Sequence, residues 1–128
     1  SVALWDPVSD GNDYLRAALE LHRARHGQRQ AAQDSGPFEV LGHGLSRQLV
    51  SELHAWQLAD VTPAPAARVL LLDTRGTLDA APAAHWRALG AQVTQQTVSA
   101  PDLWSGDGQV ALIPTNVVQA IAAWTPAP

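Results

Sequence analysis

The hydrophobic pattern divides the chain into three strand-like runs and four helical stripes. Residues 1–5 (SVALW) are a short apolar run stopped at Asp6-Pro7, where proline lacks the donor that further pairing needs. Residues 68–72 (RVLLL) are continuously aliphatic, which suits a parallel strand covered on both faces. Residues 92–98 (QVTQQTV) are β-branched but polar and predict a sheet edge where glutamine side chains meet water. Residues 38–41 (FEVL), short and bracketed by glycines, read as lid or turn structure. From about Asn12 to His26, Leu15, Ala18, Leu19 and His22 share one face, with Asp10 or Asn12 as the cap and Gly27 as the close. From Ser46, an N-cap, the stripe is Leu49, Val50, Leu53 and Trp56. From Asp79, with Pro82 in the first turn, Trp86 and Leu89 point inward and Gly90 ends the helix. From Thr115 the stripe is Val117, Ala120, Ile121 and Trp124, stopped by Pro126.

Strands alternating with helices predict an α/β fold: a small three-stranded, mostly parallel sheet flanked by helices, with right-handed crossovers. Residues 1–128 read as a single α/β domain. Within it, residues 11–60 form a cap-like helical insertion and residues 67–125 a strand–helix–strand–helix core. The length of 128 residues and 46% hydrophobic content suffice for such a core. The lack of cysteine excludes a disulfide scaffold, a thiolate metal site and a cysteine nucleophile. No apolar run reaches the ~18–20 residues that span a bilayer, and no basic signal-peptide head is present, so a cytoplasmic protein without membrane contact is expected. A net charge of −4 gives no footprint for nucleic acid. Arginine without lysine, and abundant alanine, point to a GC-rich bacterial genome. The absence of methionine implies an initiator removed or a chain cut from something longer.

Ligands of open α/β sheets collect beyond the carboxyl ends of the strands. There lie Asp6, the stretch DTRGTLD from Asp73 to Asp79, and the loop from Asp102 to Asn116. Aspartates so placed can orient a histidine or bind a metal, but turn formation and helix capping account for each taken singly. Trp5, Asp6, Asp73 and Trp104 together could line the mouth of a small-molecule pocket. Trp5, Trp56, Trp86 and Trp124 fall on apolar stripes and are expected in the core. His22 and His26 stand four apart on one helix yet lack an adjacent third ligand, so neither metal nor other cofactor is expected. His43 is expected in an exposed turn, and His54 and His85 at partly exposed packing positions. No G-x-G-x-x-G follows a strand, and without lysine no Walker motif is possible.

LWDPV (residues 4–8), DYLRAALELHR (13–23), FEVLGHGLSRQLVSEL (38–53), ARVLLLD (67–73), HWRALGAQV (85–93) and ALIPTNVVQAIAAW (111–124) carry a family likeness. Across nearly its whole length the chain resembles the carboxyl-terminal half of an α/β-hydrolase, closest to the exosortase-associated branch of the serine-hydrolase-like family. The resemblance implies half of an α/β-hydrolase-like fold, in which residues 1–5 follow the nucleophile-bearing unit and the stretch from Asn12 to about Asp60 is the lid. Catalysis in such enzymes takes a G-x-S-x-G serine, then an acid, then a histidine. No G-x-S-x-G occurs, since Gly42-His43-Gly44-Leu45-Ser46 has the wrong spacing, and the elbow would lie upstream of Ser1. The acid would match Asp79 or Asp73, and no histidine stands between Ser99 and Val117.

Half a sheet leaves a strand edge and helix faces bare, and open apolar edges recruit another chain. A homodimer is therefore expected, with an interface of roughly 1,600 Å² or more. The leading functional expectation is a non-catalytic, hydrolase-derived module acting by self-association or partner binding. The alternatives are a split serine hydrolase or esterase completed by another chain, and a small-ligand binder using Trp5, Asp6, Asp73 and Trp104.

Overall fold

The computed structural model describes residues 1–26, 38–40, 43–100 and 113–125. In chain order the elements are β1 (Val2–Trp5), α1 (Gly11–His26), β2 (Phe38–Val40), β3 (His43–Leu45), α2 (Arg47–Ala55), a single 3₁₀ turn (Leu58–Asp60), β4 (Arg68–Asp73), α3 (Ala81–Ala88), β5 (Gln92–Thr97) and α4 (Thr115–Trp124). They form two compact units, residues 1–7 with 59–128 and residues 8–58.

The first unit is a parallel sheet in the order β1-β4-β5. Val2 stands beside Val69 and Trp5 beside Leu72, while Arg68 through Asp73 run alongside Gln92 through Thr97. The α/β expectation thus holds: an all-parallel three-stranded sheet with flanking helices. Its centre is β4, where Val69, Leu70, Leu71 and Leu72 are fully buried. Removing each such side chain from water contributes about 1.5–3 kcal/mol. Leu70 and Leu72 point to the face covered by α4, meeting Val98 and Val117, with Ala3, Trp5, Ala120, Ile121 and Trp124 packed around them. Strand alternation sends Val69 and Leu71 to the other face.

Trp86 is fully buried on α3, and its indole N–H donates to the Val61 carbonyl at 3.0 Å, so its polar atom is satisfied. Trp124, half-buried, stacks under the Arg68 guanidinium at 4.8 Å. Leu89 differs from expectation. The helix ends at Ala88, Leu89 becomes its C-cap, and Gly90 turns the chain at φ +91°, leaving Leu89 exposed. The polar edge β5 has the expected character, with Gln92, Thr94, Gln96 and Thr97 exposed.

The second unit holds α1, α2 and the hairpin β2–β3. Asp10 caps α1, its Oδ1 accepting from the Asn12 and Asp13 amides, and its Oδ2 accepts from Gln57 Nε2 at 2.7 Å. The Gln57 bond first, then the two backbone amides, hold its carboxyl below the usual range. Leu15 and His22 are buried and Ala18 and Leu19 half-buried, the face the sequence predicts. Ser46 caps α2 by accepting from the Leu49 amide at 3.1 Å.

Three local expectations are corrected. Residues 38–40 pair antiparallel with 43–45 as a true hairpin rather than a turn, because Val40 buries its side chain, and His43 lies exposed on β3. Trp56 is not core: α2 stops at Ala55, Trp56 turns extended, and its ring is exposed with Nε1 donating to the Val8 carbonyl at 3.4 Å. Leu49 is likewise exposed on α2.

Gly11 lies against the backbone of α2. A Cβ there would stand 1.8 Å from the Leu53 carbonyl oxygen, a backbone atom that cannot swing away. Gly11→Ala is expected to destabilise the chain by about 1–3 kcal/mol, as overpacking does. Urea denaturation checks this, and an unchanged midpoint would refute the close approach.

Candidate functional site

The carboxyl ends of β1 and β4 bring Asp6 and Asp73 to one turn. Asp6 follows β1 with a left-handed backbone, φ +42°, and its amide still donates to the Leu72 carbonyl at 2.9 Å. Its side chain, 3% exposed, accepts from the Thr74 amide at 2.7 Å through Oδ1 and from the Thr74 hydroxyl through Oδ2. Arg75 Nε lies 3.9 Å from the same Oδ2, with about half of its side chain exposed. An aspartate tolerates the left-handed region better than most residues, so the β1 terminus itself supplies the acid that ties down the β4 turn.

Asp73 ends β4, is 5% exposed, and organises the same turn from inside. Its Oδ1 accepts from the amides of Arg75 at 3.0 Å and Gly76 at 2.8 Å, and its Oδ2 from the Leu78 amide at 3.1 Å. Gly76 sits at φ +70°, which lets successive amides converge on one carboxylate. Burial raises the pKa of Asp73, but the amides of Leu78, Arg75, Thr77 and Gly76 together outweigh it and hold the carboxyl below its ordinary value.

Asp79 is exposed, and its Oδ1 accepts from the Ala81 amide at 3.2 Å, a local bond that starts α3. The N-cap position itself falls on Ala80, which makes no side-chain capping bond. Trp5 is half-buried and packs into the cluster beneath α4. Trp104 lies outside the described residues. The structure therefore joins Asp6 and Asp73 through Thr74 and Arg75, two residues that composition alone does not single out. The turn chemistry of DTRG, an aspartate followed by a glycine three positions on, is the signal that marks them.

Two histidines have other partners. His54 Nδ1 meets Asn12 Oδ1 while the Asn12 amide donates to the His54 carbonyl, and His85 Nε2 lies 3.1 Å from the Thr62 hydroxyl. Neither contact is to a carboxylate, so neither is the acid–imidazole pair that serine catalysis uses. Among the described residues no three acidic or histidine side chains are grouped to hold a metal ion. The second unit has an open cleft of about 270 Å³ lined by Asn12, Leu15, Arg16, Leu19, Glu20, Arg23 and His54. Among the described residues no helix is long and apolar enough to cross a membrane.

No family model matches this sequence, and neither the curated proteins nor the solved structures compared with it include a match.

The Asp73 turn makes a pH-dependent prediction. Its folded pKa lies below the unfolded value, so its stabilisation is complete above the unfolded value and is lost as pH falls through the folded one. Asp73→Asn replaces an acceptor oxygen by a donor facing amides. It is expected to cost about 1–3 kcal/mol at neutral pH and to flatten the acid limb of the stability curve below about pH 4. Asp79→Asn, at an exposed site, is expected to stay within about 0.5 kcal/mol of wild type. Equal effects of the two substitutions would contradict this assignment.

Proposed function

We propose that this chain is a non-catalytic α/β module that works by association, presenting the open edge of β1 to another strand. The carrying observation is the position of β1. It lies at the margin of the sheet, bonds to β4 along one side, and meets no described strand along the other. Its four residues, VALW, contain no charge, proline or bulge, the devices that ordinarily discourage pairing at an edge. The opposite margin, β5, is polar and exposed, so the two edges differ in what they invite.

The state of the acids supports the non-catalytic part. Asp73, the better buried candidate, spends both carboxylate oxygens on backbone amides. Asp6 spends its own on Thr74. Both carboxylates hold a turn, and neither is seen orienting a histidine ring among the bonds described. The hydrolase-derived origin rests on the likeness of LWDPV, ARVLLLD and the flanking helices. The spatial order β1-β4-β5, with residues 8–58 inserted after β1, fits that likeness.

Sedimentation velocity from about 10 µM to about 200 µM, the range in which small interfaces associate, tests the reading. The weight-average mass is expected to rise above 13.6 kDa with concentration, and the purified chain to hydrolyse no p-nitrophenyl ester above buffer. A constant mass of 13.6 kDa throughout, or saturable ester hydrolysis abolished by Asp73→Asn, would overturn it.

A further inference from the structure

We infer that the cleft of the second unit binds a free α-amino acid with an aliphatic side chain, at a site independent of β1 and of the association reading. The cleft, of about 270 Å³, is built on two rows of α1. Leu15 and Leu19, four apart, form an apolar row, with Leu15 buried and Leu19 half-buried. Arg16, Glu20 and Arg23 form a charged row beside them. Asn12 and His54 stand at the amino-terminal end of the cleft and satisfy each other there. Asn12 Nδ2 donates to the His54 carbonyl at 3.0 Å, and Asn12 Oδ1 meets His54 Nδ1 at 2.5 Å. Because that oxygen can only accept, Nδ1 carries the proton, and the pair ties α1 to α2 without occupying the charged row.

The charges of that row are not equally committed. Arg16 bonds to Asp13, three positions before it, at 2.6 Å. Glu20 and Arg23 have the same spacing, again with the acid first, yet they form no ion pair, and neither bonds to another described residue. One negative and one positive group thus stand with their Cβ atoms about 5–6 Å apart, beside an apolar surface. A ligand that complements them carries an ammonium and a carboxylate on one small frame, with an aliphatic body next to both. An α-amino acid has this form. Its ammonium donates to the Glu20 carboxylate, its carboxylate accepts from the Arg23 guanidinium, and its side chain lies on Leu19 and Leu15. A simple anion is repelled by Glu20 and a simple cation by Arg23, whereas the zwitterion uses both. The volume agrees, since about 270 Å³ falls below the ~300–1,000 Å³ of sites that take drug-sized molecules.

Titration with L-leucine, followed through the α1 amides in a heteronuclear NMR correlation spectrum, tests the site. Saturable shifts confined to α1 and the end of α2 are expected, with a dissociation constant of about 1 mM or tighter. N-acetyl-L-leucine lacks the ammonium, L-leucinamide the carboxylate and glycine the aliphatic body. Each is expected to bind more weakly by about tenfold or more. Glu20 and Arg23 are exposed, so Glu20→Gln and Arg23→Gln are expected to leave the rest of the spectrum in place. Glu20→Gln should bind L-leucine and N-acetyl-L-leucine alike, and Arg23→Gln should bind L-leucine and L-leucinamide alike. The absence of saturable shifts up to about 20 mM, equal binding of all the ligands, or wild-type discrimination kept by either variant would overturn the amino-acid site. Sedimentation decides the association reading separately, so either can fail without the other.

Discussion

Four consecutive side chains of one strand, Val69 to Leu72, have no contact with water, and the rest of the first unit follows from that constraint. A strand buried on both faces must also bury both of its hydrogen-bonding edges, because unpaired N–H and C=O groups away from water cost more than the apolar burial returns. β1 and β5 satisfy those edges in parallel, and α4 covers the face that carries Leu70 and Leu72. The cost is passed outward. β5 meets it with exposed glutamine and threonine, whereas β1 is the uncharged run Val2–Trp5.

The same geometry brings the two aspartates to one turn. Parallel strands end together, so Asp6 and Asp73 arrive at the same end of the sheet within reach of one turn. That turn must reverse the chain from β4 toward α3 and orients several amides inward with no backbone acceptor. A carboxylate accepts such amides better than a neutral oxygen can, and this is why Asp73 stays ionised despite its burial. At this end of the sheet both carboxylates hold the turn through which the chain reverses.

The strongly periodic parts of the fold were legible from residue pattern. The aliphatic run 68–72 could belong only to a covered strand, and the cap residues Asp10 and Ser46 fix where α1 and α2 begin. Helix ends were less legible. Trp56 and Leu89 each continue an apolar stripe by one step, but α2 and α3 stop one residue before them, and a C-cap side chain leaves the helical face. The hairpin at 38–45 escaped notice because three-residue strands are too short for a period of two to declare itself. At the site, the sequence marked Asp6 and Asp73 but not their mutual partner Thr74, since that contact joins residues 68 positions apart. Which strands flank the centre of the sheet could not be read until the order β1-β4-β5 was known.

Amide hydrogen exchange, followed residue by residue along β1, examines the proposed association most directly. The Leu4 amide, bonded inward to β4, should be protected at every concentration, whereas the Ala3 amide should become protected only as the protein is concentrated. An Ala3 amide that exchanges equally fast in dilute and concentrated samples would contradict the account.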